Sequence, residues 1–108
     1  MATVKAHVFV SSSGQAVIHP PVVIAKKNDQ VEIVNHTDQD ICVIYPEKVF
    51  DDGSGNLKRS GKVAAGKGKA SHQVDNTATV GVHRFKVFCF ATDSFAQGNS
   101  DPEFIIEP

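Results

Sequence analysis

A chain of 108 residues that is 41% hydrophobic, with a formal net charge of −1, has material for one core and too little positive charge for a general nucleic-acid binder. No apolar run approaches the roughly 18 residues needed for a membrane-crossing helix, so no membrane span is expected. The opening MATVKAHVFV enters an alternating pattern without a basic or long apolar leader. The chain as written is therefore expected in the cytoplasm, or in the periplasm or outside the cell if a leader has been removed. Cys42 and Cys89 are too few for a disulfide scaffold and form no C-x-x-C pair, so reduced thiols are the default.

Thr3 to Val10 is a strand by its period of two, with Val4, Ala6, Val8 and Val10 on one face and Lys5, His7 and Phe9 on the other. Ser11 to Gly14 is a turn leading into a short strand, Gln15 to His19. Pro20-Pro21 stop that strand and favour an edge, because proline supplies no amide donor. Strands follow at Val22 to Lys26, at Gln30 to His36 and at Ile41 to Tyr45, the last ended by Pro46.

From Glu47 to Lys69 the pattern weakens. The run DDGSGN, residues 51–56, is loop chemistry, and it fails as a calcium loop because Lys62 stands where the twelfth-position Glu is needed. Gly61 to Lys67 approximates a phosphate-binding loop, but Gly68 replaces the magnesium-binding Ser or Thr and no amphipathic helix follows, which excludes nucleotide binding. Lys58, Arg59, Lys62, Lys67 and Lys69 make a basic stretch that reads as a solvated loop face or as an attraction for an acidic partner.

Ala70 to Asp75 reads as a strand, and Gly81 to Phe90 as a long one. On the long strand His83, Phe85, Val87 and Cys89 share one face, and Arg84, Lys86, Phe88 and Phe90 share the other. Glu103 to Glu107 closes the chain. Seven or eight short strands without a convincing helical period predict an all-β, single-domain β-sandwich over residues 1–108. The buried Trp and the tyrosine corner of immunoglobulin domains are missing.

The run from Val22 to Asn35, the segment Val63-Ala64-Ala65-Gly66 followed by Ser71 to Val74, and the approach Phe85-Lys86-Val87-Phe88-Cys89 resemble the strand and turn pattern of cupredoxins, the Greek-key sandwiches of the plastocyanin and azurin type. The family holds copper with two histidines, a cysteine and a weak axial ligand. The resemblance places the first histidine position at or near Ile41, where it is lost, and the cysteine at Cys89, where it is kept. The remaining two positions fall within Phe90 to Ser100, which offers neither histidine nor methionine. The resemblance thus implies a cupredoxin-like fold without the blue-copper ligand set, and no cofactor is expected.

Three readings of Cys89 remain open at this point. It is a buried core thiol; or it pairs with Cys42, whose strand neighbours the cysteine strand in the family; or it joins Cys42, His83 and His36 in a different copper or zinc site. His7 and His19 read as surface residues, and His72 and His83 as half-buried ones. No Ser-His-Asp order or carboxylate pair emerges, so no enzymatic activity is expected. The loop after Cys89 sets Asp93, Gln97 and Asn99 around Phe95, and with Phe88 and Phe90 it reads either as a surface for a protein partner or a second copy, or as aromatics closing that end of the core. The function expected is a binding or accessory module, with a metal or redox protein using Cys89 and Cys42 as the alternative.

Overall fold

The period-two alternation becomes eleven strands in the computed structural model, which describes residues 2–51, 58–96 and 101–108. They are β1 (Thr3–Val10), β2 (Ala16–His19), β3 (Val22–Lys26), β4 (Gln30–Asn35), β5 (Ile41–Ile44), β6 (Ser60–Val63), β7 (Lys69–Gln73), β8 (Gly81–Arg84), β9 (Lys86–Cys89), β10 (Ser94–Phe95) and β11 (Glu103–Glu107). One sheet has the order β2-β1-β4-β7. Facing it, β10-β9-β5-β6 and β3-β11-β8 form a second layer that is continuous through the β8–β9 run.

Two neighbouring pairs are parallel, β1 with β4 and β3 with β11, and all other ladders are antiparallel. The prolines sit where the sequence predicts an edge. β2 lies at the rim of the first sheet and β3 at the rim of the second, and Pro20-Pro21 carry the chain between them, where missing amides cost no ladder bond.

The inward face of each strand is the apolar one. Ala6 and Val8 of β1, Val31 and Ile33 of β4, Ile41 and Val43 of β5, Val87 and Cys89 of β9, and Phe104 and Ile106 of β11 are buried. The rings of Phe85 and Phe104 stack with centroids 4.0 Å apart, and Phe50 meets Phe104 edge-on at 4.8 Å. Val49 and Phe50, in the segment where the sequence pattern weakens, are fully buried, and Phe50 bridges to Val74.

The long strand expected over Gly81 to Phe90 is divided at Phe85. Its first half pairs with β11 and its second with β5, and at the junction the Phe85 amide donates to Pro102 O at 3.0 Å. Its face assignment holds across the break, since Phe85, Val87 and Cys89 all point into the core. β6 forms inside the basic stretch, where no strand is expected from the sequence. The loop reading of 51–56 falls, from 52 on, outside the described residues, as do Gln97 and Asn99.

Candidate functional site

Asn35 organises the end of the sandwich that holds Cys89. It is the last residue of β4, fully buried, and every polar group of its side chain is used. Nδ2 donates to Gln39 O at 2.8 Å, Val63 O at 3.1 Å and Ala64 O at 3.2 Å. Oδ1 accepts from the Thr37 amide at 2.9 Å and lies 2.8 Å from the Thr37 hydroxyl. The Asn35 amide donates to Gly68 O, and its carbonyl accepts from the Lys67 amide. One side chain therefore ties the β4–β5 loop to the turn after β6. Within that turn Gly68 is required sterically, because a Cβ there would collide with the Ala64 carbonyl.

Cys89 and Ile41 face each other directly in the β5–β9 ladder, and both are fully buried. The position where the resemblance loses a histidine is thus the cross-strand neighbour of the retained cysteine, and an aliphatic side chain fills it. Cys42 is the next residue along β5, opposite Phe88, so its side chain lies on the outer face while Cys89 lies on the inner one. This register corrects the proposed thiol pair, and both cysteines are free. It also separates the four residues of the alternative metal site. His83 contacts Thr79 O at 2.7 Å, and His36 contacts the His7 ring rather than either thiol. Among the described residues, no group of three or more His, Cys, Asp or Glu side chains is placed to hold a metal ion.

The strand order fits the same pattern. β1 and β4 run parallel in one sheet, β3 and β11 run parallel in the other, and the cysteine strand lies beside β5 and continues into the partner of β11. The fold is cupredoxin-like.

No family model matches the chain, and no curated protein matches it. The chain is similar to a crystal structure of Fet3p, a multicopper oxidase that functions in iron import, with 14% identity and a TM-score of 0.49 over 99% of this chain and 23% of Fet3p. It is also similar to a crystal structure of Lac15 from a marine microbial metagenome, with 13% identity and a TM-score of 0.48 over 98% of this chain and 32% of Lac15. The chain thus spans between about a quarter and a third of either matched structure.

Outside this cupredoxin-like core, the aromatic side chains of β9, the turn after it and β10 gather on the solvent side of the second sheet instead of closing its end. Phe88 of β9 contacts Phe90 edge-on at 5.1 Å and Phe95 of β10 at 5.2 Å. Phe90 is 44% and Phe95 41% exposed. The face continues through Cys42 and the exposed Ile44 of β5. Lys86 lies 5.4 Å over the Phe95 ring and 3.8 Å from the Asp101 carboxylate. Lys62 of β6 stands opposite Cys42 at the other margin. Beside Phe90 an open pocket of about 220 Å³ is lined by Gln39, Asp40, Lys62 and Phe90. Asp93 is exposed in the turn joining β9 to β10 and adopts a positive φ of 51°. The two-residue strand β10, which brings Phe95 opposite Phe88, carries too short a pattern to be read from sequence.

Proposed function

We propose that this cupredoxin-like chain is a non-enzymatic binding module that docks a protein partner through the aromatic face of β9 and β10. The observation that carries the reading is the outward cluster of Phe88, Phe90 and Phe95 with Ile44. Rings packed on one another outside a sheet leave apolar area in water that a partner would cover. The chemistry of the margin narrows the partner. Lys86 and Lys62 flank the apolar face, and the pocket beside Phe90 is large enough for one side chain. The partner that fits is an extended protein segment presenting an aliphatic or aromatic side chain next to a carboxylate.

Selection of a random peptide library displayed on phage against the folded chain tests this. Counter-selection against a Phe90→Ser/Phe95→Ser variant removes peptides that bind elsewhere. Enrichment of apolar-acidic peptides whose binding is lost in Lys62→Glu/Lys86→Glu is the expected result. Peptides that bind the double-serine variant as well as the unaltered chain, or a lack of enrichment, would overturn the reading.

A further inference from the structure

The sheet facing away from the aromatic cluster carries three histidines on adjacent strands. His7 of β1 lies directly opposite His19 of β2 in the antiparallel ladder, which puts their Cβ atoms about 5 Å apart on the outer face. His36, immediately after β4, is anchored by its amide donating to Val8 O. Its ring reaches back to His7, with His7 Nδ1 2.9 Å from His36 Nε2 and ring centroids 5.0 Å apart. The contact puts two imidazole nitrogens, the ligand atoms through which histidine binds metals, side by side on the surface.

We propose that His7 and His36, with His19 turning in as third ligand, form a surface site for a borderline divalent cation of the zinc, nickel or copper(II) class. Imidazole is the ligand these ions share, and hard cations such as magnesium or calcium would not compete for it. Two nitrogens bound at about 2.0–2.1 Å in tetrahedral geometry stand roughly 3.3 Å apart, so the present pair must open by a few tenths of an ångström and both rings must turn until their lone pairs converge on the ion. His19 is exposed and free to change rotamer, which it must do because no three ligands converge in the present side-chain positions among the described residues. Nearby, Lys5, on the same face of β1 as His7, and Lys69 of β7 both pair with Glu32 at 3.8 and 3.7 Å, so one carboxylate offsets part of their positive charge. The remaining positions of the cation stay open to water or to a donor from another molecule. This site shares no residue with Cys89 or the aromatic face, so it stands or falls independently of the proposed function.

Zinc chloride titrated calorimetrically into the full chain at neutral pH is the direct test. One equivalent should bind, and His7→Ala and His36→Ala should each weaken binding by about tenfold or more. His19→Ala should cost less, and His83→Ala nothing. Copper(II) in place of zinc should give a paramagnetic resonance spectrum with imidazole nitrogen couplings and no thiolate charge-transfer band. A second readout is independent of whether each variant is fully stable: zinc should raise the melting temperature of the unaltered chain and not that of His7→Ala/His36→Ala. Zinc binding of unchanged strength in both single variants, or no binding by the unaltered chain at millimolar zinc, would overturn the proposal.

Discussion

Tyr45 is buried, and its hydroxyl has no hydrogen-bond partner among the described residues. Its ring is well used, meeting Phe50 and His72 edge-on at 5.5 and 5.2 Å, so the hydroxyl alone is the liability. An unpaired buried hydroxyl costs about 1–3 kcal/mol, and Tyr45→Phe should recover about 1 kcal/mol of that in urea unfolding. A loss of stability in that variant would mean the hydroxyl is satisfied. Asn35 is the opposite case, a buried polar side chain with every group paired. Asn35→Ala strands three carbonyls and a threonine, and it should destabilise the fold by about 2–4 kcal/mol, read as a lower denaturant midpoint. The asparagine is visible in the sequence at the end of an apolar strand, but its partners are not. Gln39, Val63 and Ala64 reach it through two loops whose meeting depends on tertiary closure.

At the scale of the strand pair, the β5–β9 register decides the chemistry of both cysteines. Ile41 faces Cys89 inside and Cys42 faces Phe88 outside, and a slip of one residue would exchange the two faces. A thiol reagent should therefore modify Cys42, which is partly exposed, in the folded chain, and should reach Cys89 only on unfolding. Ellman titration without and with guanidinium should give one thiol and then two. Two at once in the native state would contradict the register. Individual strands were legible because alternation is strong where one face meets the core: β3 and β11 match the expected segments to the residue, and β4 to within one. Where the alternation is short or interrupted, legibility failed. β6 hides its pattern among lysines and a glycine, β10 has two residues, and the break at Phe85 reflects a change of partner that no local signal announces.

Over the whole molecule, the sandwich was readable from the number and spacing of strands, whereas the parallel β1–β4 and β3–β11 neighbours were not, because alternation carries no direction. The pairing that closes the sandwich also sets how it responds to pH at both extremes. On the acid side, the amides of Ala2 and Lys26 donate to the Asp29 carboxylate at 2.9 Å each, tying the start of β1 to the β3–β4 turn. These bonds hold the Asp29 pKa below its ordinary value of 3.8. Because the folded value is the lower one, the unfolded chain takes up its proton first as pH falls. The stability these bonds contribute is present above about pH 4 and is lost as pH falls through the folded value. On the alkaline side, burial first and the neighbouring Cys42 second push the Tyr45 pKa above its ordinary value of 10.0. The folded value is the higher one here, so this contribution is present below pH 10 and is lost as pH rises beyond it. Tyr45 is the one tyrosine in a chain without tryptophan, so its ionisation can be followed alone by ultraviolet absorbance. Tyrosinate should appear only together with loss of the β-sheet circular dichroism signal. Tyr45→Phe should flatten the alkaline limb while leaving the slope of the acid limb unchanged, and Asp29→Asn should flatten the acid limb alone. Tyrosinate forming near pH 10 while the sheet signal is intact would show that the ring is reached by water in the folded chain, and with it that the end of the core around Phe50 is open.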